Sequence, residues 1–98
     1  MAEVVDFKPE SERVNLAELA GKVIVITDFK ILRSEKYKAD LAIIKYFEPP
    51  ESKEKEAYTF SRVIIKQLQQ IFQLIQQGKA VRVKVVDAGR YLMLAPPR

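Results

Sequence analysis

The sequence contains no cysteine, no histidine and no tryptophan, and only three of its 98 residues are glycine. Without cysteine, the chain has no disulfide, no thiolate nucleophile and no thiolate metal ligand. Without histidine, it lacks the commonest general base at neutral pH and the commonest metal ligand. Its glycines, Gly21, Gly78 and Gly89, are too far apart to form a phosphate-binding glycine loop. These absences predict a protein that is not an enzyme, with no catalytic residue, no metal and no cofactor.

Asp28 and Asp40 are the one pair of acids on neighbouring predicted strands. Two aspartates alone are a weak signal for a metal site. An aspartate on a strand beside Lys30 or Lys38 is more typical of a cross-strand ion pair. We therefore expect ion pairs here and no metal.

Long apolar runs are also missing, so no segment is expected to span a membrane. The N-terminal sequence MAEVVDFKPESER is acidic and does not resemble a secretory signal, which predicts a cytoplasmic protein. The 48% hydrophobic and 31% charged residues are typical of a folded globular protein. We expect a single domain over residues 1–98, with a loosely ordered segment at 1–13 and an exposed charged loop at 48–57.

The net charge of +4 is unevenly distributed. Residues 1–21 carry −3 and residues 48–56 carry −2, whereas residues 22–47 carry +3 and residues 57–98 carry +6. The cations therefore lie on the segments expected to fold, where a basic face attracts polyanions.

The hydrophobic pattern predicts an α+β fold, in which a four-stranded antiparallel sheet packs against one main helix and a short N-terminal helix. The short helix is predicted at NLAELAGK, capped by Asn15 and ended by Gly21. The main helix is predicted from 62 to 77 between Ser61 and Gly78, with apolar residues at helical spacing on one face and glutamines on the other. Strands are predicted at 22–33 and 39–47, and two more in 81–94, with a few strand-like residues at 58–60.

Strict alternation along 22–33 places Phe29 and Ile31 on the same side as Val23 and Val25. In the final hairpin, a two-residue turn at Ala88–Gly89 pairs Val85 with Leu92 and leaves Arg82 and Lys84 on the opposite face. A three-residue loop at 87–89 is the alternative, and it moves Leu92 and Leu94 to the face of the cations. The burial pattern favours the two-residue turn.

Several aromatic residues lie within a few positions of lysine or arginine. Single-stranded nucleic acid needs this combination, since cations neutralise phosphates and flat rings stack on unpaired bases. The residues concerned are Tyr37, Tyr46, Phe47, Tyr58 and Tyr91. We interpret Phe29, Phe60 and Phe72 as ordinary core and rim residues.

Three segments, LAELAGKVIVITDFKI (16–31), KYKADLAIIKY (36–46) and YTFSRVIIKQLQQI (58–71), are followed by a basic strand and GRYLML. In order and texture this run resembles the ThermoDBP-type single-stranded DNA-binding proteins of thermophilic archaea and their small relatives, including those of archaeal viruses. The resemblance implies helices packed on an antiparallel sheet and a basic, aromatic-lined cleft that binds single-stranded DNA without sequence preference. The cleft residues it implies are Lys36, Tyr37, Lys38, Lys45, Tyr46, Tyr58, Arg82, Lys84, Arg90 and Tyr91.

Larger members of that family carry an extra helical segment that associates chains, whereas this sequence ends in APPR soon after the last strand. The sequence leaves open whether two chains form a homodimer and whether RNA binds in place of DNA. The alternative function is a small protein-interaction module, a viral or plasmid-type adaptor or inhibitor that uses the glutamine face. A duplex-DNA regulator is less favoured, because glutamines and not several cations would face a groove.

Overall fold

A computed structural model describes residues 13–97. They form strands β1 (Val14–Asn15), β2 (Val23–Ser34), β3 (Ala39–Phe47), β4 (Lys55–Thr59), β5 (Val81–Asp87) and β6 (Leu92–Ala95), and one helix, α1 (Arg62–Gln76). A 3-10 turn, Leu16–Leu19, lies between β1 and β2. The expectation of loose order at 1–13 concerns residues that lie, except for Arg13, outside the described part of the chain. The part described has no helix that is long and apolar enough to cross a membrane.

The sheet is six-stranded and mixed, in the order β1-β4-β3-β2-β5-β6, so the prediction of four antiparallel strands is wrong. The four predicted strands are present, but β4 and β1 extend the sheet beyond β3, and β1 pairs with β4 in parallel. The predicted loop at 48–57 is shorter than expected, because β4 already begins at Lys55. Pairing with β3 holds this charged segment in an extended conformation. The local sequence does not indicate this pairing, because it depends on residues far away in the chain.

The short N-terminal helix is also a wrong prediction, since the segment makes a single 3-10 turn. Asn15 caps it as expected, with its side chain accepting a hydrogen bond from the Ala17 amide at 3.0 Å. Leu16 and Leu19 are three residues apart, so a 3-10 turn places both on one side, where both are buried. Seven residues between β1 and β2 leave no room for a longer helix.

The main helix is confirmed, with Ser61 as its N-cap and Gly78 in a left-handed conformation after its end. Its residues Ile64, Ile65 and Leu68 are buried against the sheet. We call the sheet face that carries this core the inner face and the opposite one the outer face. The core combines α1, the 3-10 turn and the inner residues of β2 to β6, such as Ile24, Ile44, Ala57, Val85 and Leu94.

A β-bulge interrupts β2 and corrects the predicted alternation. The register with β3 shifts between Ile26 and Asp28, which leaves Thr27 as the extra residue. Phe29 and Ile31 therefore lie on the inner face with Ile24 and Ile26, and not with Val23 and Val25. The Thr27 hydroxyl lies within hydrogen-bond distance of two acceptors, the Lys45 carbonyl at 3.2 Å and the Glu54 carboxylate at 2.9 Å. Its single proton is shared between them, which helps to hold the bulge in place.

The last hairpin has a longer loop than the two-residue turn predicted. Val85 pairs with Leu94 and Asp87 with Leu92, so residues 88–91 form the loop. The pairing is displaced by two residues from the predicted one, and a displacement of two keeps each side chain on its face. The predicted faces are thus confirmed: Val83, Val85 and Leu94 are buried, while Arg82 lies on the other side.

The sheet curls around α1, so that the helix contacts strands from both halves of the sheet. The Gln67 side chain donates to the Leu94 carbonyl of β6 at 2.8 Å and accepts from the Leu94 amide at 2.7 Å. On its other side, Phe72 of the helix meets Phe29 of β2 edge to face, with ring centroids 6.0 Å apart. This curl brings the β5–β6 loop toward the start of the helix.

Candidate nucleic-acid interface

Three aromatic rings meet at one end of the molecule, where the β2–β3 turn folds against the link between β4 and α1. Phe60 lies at the centre, with Tyr37 at 5.3 Å and Tyr58 at 6.5 Å between ring centroids, both in edge-to-face geometry. Such pairs stabilise the position of the turn and still leave ring faces open. Tyr37 is 61% exposed and Phe60 is 37% exposed, so the cluster faces solvent.

The local sequence explains why these rings meet. Tyr58 lies on the outer face of β4, opposite Ile43, and Phe60 follows two residues later on the same side. The turn at 35–38 is tight because Lys38 adopts a left-handed backbone conformation, with φ of 49°. The Ser34 hydroxyl accepts a hydrogen bond from the Tyr37 amide at 3.3 Å, which fixes the ring-bearing residue of this turn.

A groove of about 540 Å³ runs along this cluster. Its walls are aromatic and basic: the Lys36 ammonium lies 5.3 Å from the centre of the Tyr37 ring, at cation–π distance. Arg13 lines the same groove and forms an ion pair with Glu56 at 3.3 Å. The lining residues are Arg13, Asn15, Ser34, Lys36, Tyr37, Leu41, Tyr58 and Phe60. We call this set the aromatic groove.

A second cavity of about 310 Å³ adjoins the groove and shares Phe60 with it. It lies between the C-terminal end of β2, the start of β3 and the first turns of α1. Its charged residues are Arg33, Asp40, Arg62 and Lys66, and its other residues are Ala39, Phe60, Ile65 and Gln69. We call this set the basic cleft.

The β5–β6 loop lies in the same neighbourhood. The Ser61 hydroxyl donates to the Leu92 carbonyl at 3.2 Å, and these residues adjoin Phe60 and Tyr91 in the chain. Standard backbone dimensions then keep the Cα atoms of Phe60 and Tyr91 within about 16 Å of each other. Arg90 and Tyr91 are both exposed in this loop, but neither is among the residues that line the groove or the basic cleft.

Other members of the sequence-derived set lie elsewhere. Lys45, Arg82 and Lys84 are on the outer face of the sheet, on β3 and β5. Lys45 has Asp28 on one neighbouring strand and Glu56 on the other, which offsets its charge locally. These cations do not line the aromatic groove.

Tyr46 is not available to a ligand, because it is only 1% exposed and belongs to the inner core. Burial raises the pKa of its phenol above the ordinary value, and the carboxylates of Glu48 and Glu18 raise it further. A ring in this position packs against the core and does not stack on a base.

The sequence reasoning missed five of the eight basic or aromatic residues that line these cavities: Arg13, Arg33, Phe60, Arg62 and Lys66. Phe60 was interpreted as an ordinary core or rim residue, although its position directly before the helix cap Ser61 was a usable signal. Arg62 and Lys66 are one helical turn apart, which predicts a common side of the helix. Nothing local indicates that Arg33 of β2 faces them.

No protein-family model matches the sequence, and comparisons with curated proteins and with solved structures gave no match either. The resemblance to ThermoDBP-type proteins therefore stays a prediction, and the site has to be judged from its own chemistry.

Proposed function

We propose that this protein is a non-enzymatic, cytoplasmic protein that binds single-stranded nucleic acid, with DNA as the expected ligand, and has little sequence preference. The observation that supports the proposal most directly is the solvent-facing cluster of Tyr37, Tyr58 and Phe60 beside Lys36. A flat ring stacks on any base, and a nearby cation neutralises the phosphate that follows.

The charge balance around the cluster supports the same ligand. The two cavities and the β2–β3 turn contain six cations, Arg13, Arg33, Lys36, Lys38, Arg62 and Lys66, against the acids Glu35, Asp40 and Glu56. The resulting net charge of +3 in this region attracts a polyanion.

The exposed rings of the aromatic groove are expected to stack on the bases. Alanine substitution of Phe60 or Tyr37 should weaken binding to a fluorescein-labelled oligothymidine by about 5- to 150-fold, the equivalent of roughly 1–3 kcal/mol for each stacked base. Fluorescence anisotropy at low salt measures the dissociation constants.

Phe72→Ala is the matched control, since Phe72 is also an exposed ring, 47% accessible, but lies farther along α1 against Phe29. Its affinity for the oligothymidine should equal that of the wild type. No detectable binding by the wild-type protein at low salt would contradict the proposal. Equal losses of affinity in Phe60→Ala and Phe72→Ala would show that the groove is not the binding site.

A further inference from the structure

We propose that the basic cleft binds a terminal phosphate monoester of the single strand whose bases stack in the aromatic groove. This inference rests on the proposed function and adds a preference for a phosphorylated end. Its basis is the composition of the cleft, its position beside Phe60 and its net charge.

The cleft combines three cations from two elements. Arg33 comes from β2, while Arg62 and Lys66 come from the first two turns of α1. Arginine suits phosphate because its planar guanidinium forms two parallel hydrogen bonds to two phosphate oxygens. Lysine adds a compact charge with three donors.

Two of these cations have no carboxylate partner in the part of the chain that the structure describes. Within residues 13–97, no acidic side chain lies at ion-pair distance from Arg62 or Lys66. Arg33 is paired with Asp40 of β3 at 3.6 Å, but both side chains are more than half exposed. An exposed pair of this kind contributes little stability and competes weakly with a dianion.

The charge of the cleft matches a monoester better than a diester. Three cations and the carboxylate of Asp40 give a net charge of +2. A phosphate monoester carries about −1.5 to −2 at neutral pH, whereas each internal phosphate of a nucleic acid carries −1. A phosphate dianion therefore neutralises the positive charge of the cleft, whereas an internal phosphate neutralises only part of it.

Phe60 connects the cleft to the stacking surface, because its ring borders both cavities. A terminal base stacked in the aromatic groove would hold its own phosphate at the mouth of the cleft. The strand would then continue past Tyr37 and Lys36, away from the helix.

The test compares three labelled oligothymidines of one length, with a 5′-phosphate, a 3′-phosphate or hydroxyls at both ends. For the wild-type protein, one phosphorylated form should bind at least about tenfold more tightly than the hydroxyl form, which corresponds to one hydrogen bond to a charged group. The tighter form identifies the recognised end.

Arg62→Gln and Lys66→Gln should abolish this preference while the hydroxyl form still binds. Lys79→Gln, which removes an equal charge beyond the far end of the 15-residue helix, should retain it. Thermal melting by circular dichroism checks that each variant is folded. If Arg62→Gln does not fold, the Lys66→Gln variant alone gives the test, because Lys66 is on the exposed side of α1.

Equal binding of all three oligonucleotides by the wild type would overturn the inference and leave the proposed function standing. A preference that survives both Arg62→Gln and Lys66→Gln would also overturn it, because the end would then be recognised elsewhere. Failure to bind any of the three would overturn the proposed function and this inference together.

Discussion

Tyr46 and Tyr58 have similar surroundings in the sequence and opposite positions in the structure. Each lies on a strand close to a lysine, but Tyr46 points into the core, whereas Tyr58 lies on the outer face at the aromatic groove. The side of a strand on which a residue lies depends on its register with its neighbours. A single bulge, as at Thr27, reverses that side for every residue beyond it.

Burial of Tyr46 makes stability depend on pH in the alkaline range. Its folded-state pKa is raised above the ordinary value of 10.0, so the unfolded chain releases the phenolic proton more readily than the folded protein. This contribution to stability is fully present below about pH 10 and is lost as pH rises through the folded-state pKa.

We expect the free energy of unfolding of the wild type to fall more steeply above pH 10 than that of Tyr46→Phe. Urea unfolding followed by circular dichroism at several pH values measures the difference. Tyr91→Phe is the control, since Tyr91 is 48% exposed, and its curve should follow that of the wild type. Parallel curves for wild type and Tyr46→Phe would contradict the expectation.

At the scale of elements, Gln67 links the helix to an edge strand in the manner of a neighbouring strand. The side-chain amide of Gln67 forms hydrogen bonds with both the backbone N–H and the backbone carbonyl of Leu94, a residue that is only 7% exposed. A buried backbone group left without a partner is costly, so this side chain protects β6 and helps to hold the curl of the sheet.

Gln67→Glu tests this role with almost no change in shape. A carboxylate still accepts from the Leu94 amide, but it has no donor for the Leu94 carbonyl and meets it with like partial charge. We expect a loss of about 2 kcal/mol in the free energy of unfolding, measured by urea denaturation at neutral pH.

Gln70→Glu introduces the same charge on the exposed side of α1 and should change stability by less than about 0.5 kcal/mol. A similar loss in both variants would show that the acidic charge on the helix, and not the pair of hydrogen bonds to β6, causes the effect.

At the scale of the whole molecule, two separate surfaces carry groups of basic residues. The first comprises the groove, the cleft and the β2–β3 turn, while the second is the part of the outer face, outside the groove, that carries Lys45, Arg82 and Lys84. The aromatic rings accompany the first surface, so the strand is expected to follow it.

The salt dependence of binding distinguishes the two surfaces. Each phosphate neutralised on a single strand adds about 0.7 to the slope of log K against log salt concentration. Lys36→Gln should lower that slope by about this amount, whereas Lys45→Gln should leave it unchanged. Anisotropy titrations across a salt series give both slopes, and a lower slope for Lys45→Gln would place the strand on the second surface.

The sequence by itself determined the α+β class, the helix between Ser61 and Gly78, the four main strands and the faces of the last hairpin. These features depend on local periodicity, capping and turn residues, which act over a few positions. Lys36, Tyr37 and Tyr58 were predicted from the resemblance and from the closeness of cations and rings in short segments, and all three line the aromatic groove.

Only the tertiary structure decided the parallel pairing of β1, the extension of β4, the bulge in β2 and the burial of Tyr46. It also placed Arg33 in the same cavity as Arg62, and Phe60 at the border of two cavities. These features arise from contacts between residues far apart in the chain, and their free energy is gained only when the sheet curls around the helix. A pattern read over a few residues carries no information about which distant surface a side chain will meet.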